Sequence, residues 1–190
     1  LGATVAQSLL TRTHRRDLRV LTDQAGSDLR ILWRDFGSAD AARDTLMRAL
    51  PLLVAEYGSA AATLGADYFD DARDAAGVRG RFRAEPARTV AEEALDVLAR
   101  VAVGPLFGAT PRPADALTLA TGGLQRHIAN ADRETVTQAA VQDRNSGWVR
   151  VGDGGCDWCA KYLDGEVHYI EGYDFDAHDH CNCSAEPVFD

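Results

Sequence analysis

Nowhere does this 190-residue chain run to 18 consecutive apolar residues, so no stretch of it reads as a membrane-spanning helix. It also lacks the charged-then-apolar opening of a signal peptide. It starts at Leu1 rather than methionine, which is expected of a trimmed, processed or partial product. Lysine is almost missing: of 20 basic residues only Lys161 is one, an arginine bias that suggests a GC-rich coding source. Cysteine is absent from the first 155 residues, and all four lie beyond that point. No thioredoxin-like βαβ setting surrounds Cys156 and Cys159, and no serine-protease motif surrounds Ser184. An apolar fraction of 46% excludes disorder throughout, and the length fits one domain of ordinary size, or one domain with a small appendage.

Charge is unevenly placed. The net charge is −9, and residues 151–190 hold ten acidic groups against Lys161 alone, so the first 150 residues balance at zero. An acidic tail repels phosphate backbones, which argues against nucleic-acid binding through it. It reads first as a solvated face and second as a surface for a basic protein partner.

That same tail carries the chemistry. Cys156 and Cys159 form C-D-W-C, approached by Gly152-Asp153-Gly154-Gly155, and His178, His180, Cys181 and Cys183 form H-D-H-C-N-C about twenty residues later. A C-x2-C turn sets two thiolates on one side of a tight loop, and a second sulfur–imidazole cluster closes a tetrahedral shell. A mixed S/N set with no redox task suits zinc best, acting structurally. Two disulfides or free buried thiols are the competing uses of the same cysteines. Cys156 and Cys159 are the firm pair. His178 with Cys181 or Cys183 completes the set, through H-x2-C spacing or through the shared face of Cys181 and Cys183 on an extended segment. His180, next to Cys181, ranks last.

The remainder is helical in pattern. Leu18, Leu21, Ala25, Leu29, Leu32 and Phe36 recur three and four apart and predict a helix over 3–36. Arg12-Thr13-His14-Arg15-Arg16, diluted by nearby aspartates, reads as a solvated face of it rather than a nucleic-acid contact. Gly37 fits the C′ position and Ser38 the next N-cap. A second helix spans 39–76 through Leu46, Leu50, Leu53, Tyr57, Ala61, Leu64, Tyr68 and Ala72, with a kink or break expected at Pro51. Gly58-Ser-Ala-Ala-Ala62 leaves room for another helix, and Asp67, Asp70, Asp71 and Asp74 follow the polar face. After an arginine-rich loop, Pro86 or Thr89 opens a third helix, Thr89–Glu92 matching a capping box. A fourth runs from about Ala114 to Asp143, weakened at Gly122-Gly123, with His127 at the surface or its boundary. Trp33, Tyr57, Tyr68 and Phe69 read first as core and second as partner anchors.

Past Asn145-Ser-Gly147 the pattern changes to short strands: Trp148–Val151, Glu166–Tyr169 after a Leu163-Asp164-Gly165 turn, and Ala185–Phe189. A module this small buries little apolar surface, so a metal cross-link supplies folding free energy. The expected fold is therefore mainly α: a long-helix bundle or elongated helical arm over 1–145, followed by a zinc-stabilised Cys/His β-module over 146–190.

The C-x2-C, the D-G-x-V after it and the terminal H-x2-C-x-C resemble the Mu F-like minor capsid proteins of tailed phages, the phage head morphogenesis family. The stretches A-E-Y-G-S-A-A-A-T-L-G-A-D-Y-F-D-D (55–71) and A-A-G-V-R-G-R-F-R-A (75–84) are similar to the version found in phages of actinobacteria. The resemblance spans most of 10–190. It implies a structural, non-enzymatic protein associated with the portal vertex inside the head, present in the host cytoplasm during assembly and acting in head assembly or DNA delivery. Its implied partners are the portal, the major capsid protein, or both, with packaged DNA as a further contact. Carried over by position, its motif falls on Cys156, Cys159, His178, Cys181 and Cys183; at His180 many members have asparagine instead.

Two other classes compete. A small zinc-dependent nuclease would use His178 or His180 as general base, but it requires an open coordination position or a second ion, and an acidic module is a poor DNA surface. A free-standing zinc-ribbon interaction module makes the same metal prediction without a portal partner.

Overall fold

The computed structural model describes residues 2–35, 37–88, 92–152, 155, 157–163, 165–168 and 175–190, the side chains of 2–6, 35 and 92 excepted. Phe36, Thr89 and Cys156 lie outside the described residues, and with them the expected end of the first helix, the capping box and one expected ligand.

Four long helices form the body: α1 (Gly2–Leu32), α2 (Ala39–Ala75), α3 (Glu92–Val103) and α4 (Pro113–Gln142). They are followed by strand β1 (Ser146–Val151), the one-turn helix α5 (Asp157–Ala160) and strand β2 (Ser184–Phe189). The chain is thus mainly helical with a small C-terminal sheet, as the periodicities predict, and the helices pack as a bundle. Ser38 caps α2, its hydroxyl accepting from the Ala41 N–H at 3.2 Å, and Pro113 opens α4, where a missing N–H costs nothing.

Of the kink or break expected at Pro51, the break does not occur; α2 runs through it. A mid-helix proline forfeits one backbone hydrogen bond, at a cost of about 3 kcal/mol. Leu46, Leu50 and Val54, on either side, are 0–2% exposed, and burying each side chain is worth about 1.5–3 kcal/mol. Tertiary packing outweighs the local penalty.

The main core gathers Leu18 and Leu29 of α1, Leu46 and Leu50 of α2, Leu95 and Leu98 of α3, and Leu124 and Ile128 of α4. A second core joins Tyr68 and Phe69 of α2 and Val136 and Ala140 of α4 to Trp148 of β1 and Ala185 of β2. Tyr68 and Phe69 are therefore core residues rather than exposed anchors. The strands pair antiparallel, from Ser146 with Phe189 to Val151 with Ser184. Of the strand expected at 166–169, the described residues show one bridge, His168 to Trp148.

The Gly122-Gly123 pair, which only weakens a helix in isolation, is a two-sided notch. A Cβ on Gly123 would stand 2.2 Å from Leu98 Cδ1 of α3, and one on Gly122 would stand 2.6 Å from His180 Nε2. Without side chains there, α4 accepts α3 on one side and the C-terminal segment on the other.

Two histidines lie deeper than the sequence pattern indicates. His127 is buried. His14 is buried too: Nε2 stands 3.0 Å from Asp132 Oδ1 of α4, and the ring stacks on Tyr68 at 4.1 Å. Arg12 and Arg16 keep the solvated position expected of that face, and His14 does not.

Candidate metal centre

Two tight turns build the site. In the first, α5 ends with the Tyr162 N–H donating to the Cys159 carbonyl at 3.0 Å, which turns the Cys159 side chain inward. In the second, the Cys181 N–H reaches back to the His178 carbonyl at 3.2 Å, with His180 at the left-handed φ of 61° between them. H-x2-C spacing thus becomes a turn that presents His178 and Cys181 together. The next residues are extended, with Cys181 and Cys183 buried on either side of exposed Asn182, as strand-like alternation requires.

The turns meet. Cys159 Sγ lies 3.0 Å from His178 Nε2 and 3.8 Å from Cys181 Sγ. The three ligand atoms all fall within 4.8 Å of one another. Metal–sulfur bonds of about 2.3 Å in a tetrahedron set S···S edges at roughly 3.8 Å, so the two sulfurs are already at coordination spacing. They are not at bonding distance, since a disulfide needs about 2.05 Å; the described cysteines, Cys159, Cys181 and Cys183, are free thiols.

His178 is oriented for the same purpose. Its Nδ1 lies 2.6 Å from the Asp179 carbonyl oxygen. A carbonyl only accepts, so Nδ1 carries the hydrogen and Nε2 turns its lone pair to the sulfurs, the arrangement by which second partners fix metal-binding imidazoles. The edge of Trp158 packs against the ring at 5.3 Å.

Neighbouring groups drive the two thiols of the C-x-C segment apart in acidity. Hydrogen bonding from Cys183 and the positive charge of Arg133 pull the Cys181 thiol down to about 4, against a burial effect that raises it. Cys183 is pushed the other way, first by Cys181 and then by burial. Cys183 adjoins the cluster rather than joining it. Its Sγ rests against Gly152, where a Cβ would come within 2.6 Å of the sulfur. Once deprotonated, Cys183 offers a third sulfur, and so a fourth ligand, beside the cluster.

Of the expected ligands, then, the structure brings together Cys159, His178 and Cys181 and sets Cys183 beside them. Cys156 lies outside the described residues. His180 turns toward α4, its Nε2 over Gly122. A metal ion fits this site, because two buried sulfurs and an oriented imidazole converge on one point.

Two arginines frame the cluster, and neither is singled out by the motifs. Arg133 of α4 is 1% exposed and donates to the carbonyls of Cys181 and Cys183, each at 2.9 Å. Arg150 of β1 lies 3.9 Å from the centre of the Phe175 ring and 5.7 Å from that of Trp158, and donates to the Asp176 carbonyl. A signal for Arg133 exists in the sequence: Ala129, Arg133, Val136 and Ala140 follow the spacing of an apolar stripe, and a charge on such a stripe needs buried partners.

A family model matches residues 6–190, the helical body and the terminal Cys/His segment alike. The chain belongs to the VG15 protein family. It is accordingly a phage protein, which agrees with the phage resemblance of its motifs at that level; the family description says nothing of head morphogenesis. No curated protein matches the chain, and no solved structure does. For this family member the functional evidence is therefore its own geometry, and the buried Cys/His cluster is the feature that bears on it most directly. Among the described residues no helix is long and apolar enough to cross a membrane.

Proposed function

We propose that this phage protein is a structural minor component of the head, associated with the portal from the inside, whose C-terminal segment is held by a closed zinc site. The observation that carries the proposal is the buried convergence of Cys159, His178 and Cys181. Thiol and imidazole donors together favour zinc over the hard cations, which prefer oxygen. With Cys183 or Cys156 as fourth ligand the shell is full, leaving no position for a catalytic water. The ion then contributes folding free energy to a small sheet and performs no chemistry.

The role in the head rests on the resemblance of the motifs, and family membership supports only its being a phage protein. Exposed Leu52, Val97 and Val101 on the helices and Phe107 in the connection between α3 and α4 are available to bury against the portal or the major capsid protein. Packaged DNA is the weaker partner for the acidic segment, given phosphate repulsion.

Native mass spectrometry of the purified chain, with Cys159→Ser beside it, tests the site. One equivalent of zinc in the wild type, lost in the variant, is the expected result. Protein free of zinc and lighter by four hydrogens has two disulfides, and the metal assignment fails. An ion retained by the variant and able to cleave DNA would move the protein to the nuclease class. Co-sedimentation with assembled portal rings of the same phage tests the partner, and absence of binding leaves only the free-standing zinc module.

A further inference from the structure

We infer that Arg133 is the positioning residue of the metal centre, holding both cysteine carbonyls of the C-x-C segment and fixing the centre to α4. The inference rests on the reading that the cluster binds a metal.

Arg133 is wholly interior, at 1% exposure, in the middle of the helix on which the C-terminal segment packs. Its guanidinium uses three separate nitrogens. Nε donates to the Cys183 carbonyl at 2.9 Å, Nη2 to the Cys181 carbonyl at 2.9 Å, and Nη1 to Asn130 Oδ1 at 2.7 Å. The Phe175 ring covers it at 5.1 Å. A rigid planar fork that spans the carbonyls on both sides of Asn182 fixes the backbone of 181–183 in its extended form. That form is what turns the side chains of Cys181 and Cys183 inward together. A one-residue slip would send them to the opposite face.

Charge points the same way. All three hydrogen bonds of Arg133 go to neutral oxygens, two of them the carbonyls of the cysteines themselves, so its positive charge is not spent on a carboxylate hydrogen bond and acts on the sulfur side. A divalent ion bound by three thiolates and one imidazole is a buried anion, and a buried charge requires an opposite one close by. Arg133 supplies it from a helix fifty positions away in sequence from Cys183. Lysine keeps the charge but, as a point donor, does not span two carbonyls.

The test compares the full-length wild type with Arg133→Met and Arg133→Lys. Zinc affinity is measured by competition with a chromophoric chelator, the cobalt-substituted protein is followed by visible absorption, and melting is recorded with and without zinc. Loss of an outer-shell partner typically weakens metal binding by about 10–100-fold. Arg133→Met is expected in that range with an altered cobalt spectrum, and Arg133→Lys nearer about tenfold. Equal loss of melting temperature with and without zinc, at unchanged zinc affinity and cobalt spectrum, makes Arg133 a packing residue and overturns the inference alone. Wild-type protein that takes up neither zinc nor cobalt overturns it together with the metal-site reading. Should Arg133→Met fail to fold, Arg133→Lys decides by the same two readouts.

Discussion

His178 and His180 offer the same imidazole two residues apart, and backbone conformation separates their roles. His178 ends a segment that aims its ring at Cys159, with Nδ1 committed to a carbonyl. His180 sits at φ 61°, a left-handed conformation that asparagine and glycine adopt at least cost. Its ring leaves the sulfurs for the notch at Gly122. His178→Ala is therefore expected to lower the zinc content of the protein well below one equivalent. His180→Asn is expected to keep zinc affinity within about twofold and to fold normally, because asparagine suits the turn and outer-shell losses are the larger ones. Elemental analysis after gel filtration distinguishes the two, and a zinc-free His180→Asn protein would show that the ligand is the other histidine.

At the level of elements, α4 is the shared wall of the molecule. It meets α1, α2 and α3 and supports both strands. The residues that let it do so are ones an isolated amphipathic helix would not place on its buried face: two adjacent glycines, and the buried charged side chains Asp132 and Arg133. Gly123→Ala drives a methyl to within 2.2 Å of Leu98 Cδ1. Overpacking of this kind costs about 1–3 kcal/mol, although alanine is the better helix former. Leu98→Ala alone leaves a cavity and costs about 2–5 kcal/mol. The double variant is expected to lose less than the sum, since the smaller side chain accommodates the added methyl. Urea unfolding of the three variants measures this; strict additivity would mean that α3 shifts away from α4 instead.

For the whole molecule, a buried histidine–carboxylate contact ties the first helix to the fourth. His14 and Asp132 are 2% and 0% exposed in their side chains and 3.0 Å apart, with Tyr68 of α2 stacked on the imidazole and hydrogen-bonded to Thr11 at 3.0 Å. Removing one member of a buried pair strands the other and costs about 3–5 kcal/mol. Asp132→Ala is expected in that range, and Asp132→Ala with His14→Leu is expected to recover a large part of it, because no unpaired group then stays behind. Chemical denaturation of the single and double variants provides the comparison. If the double variant is the less stable by the full sum, the pair acts through shape alone.

The sequence by itself determined the four long helices and their approximate limits, because a three-and-four spacing of apolar residues is written within a single window; the one-turn α5 carries no such pattern. It determined the H-x2-C turn for the same reason: a turn is a local event, and its residues are neighbours in the chain. The acidic character of residues 151–190 was also local, a matter of counting. What only the tertiary structure decided were the meetings between distant segments. Cys159 reaches His178 across 19 positions, Arg133 reaches Cys181 across 48, and His14 finds Asp132 from the far end of the chain. Pro51 remains inside α2 because its neighbours are buried against other helices. Periodicity says which face of a helix turns inward. The partner that desolvates and satisfies a buried charge, thiol or imidazole is chosen when the faces meet, and that choice placed Arg133 beside the sulfurs.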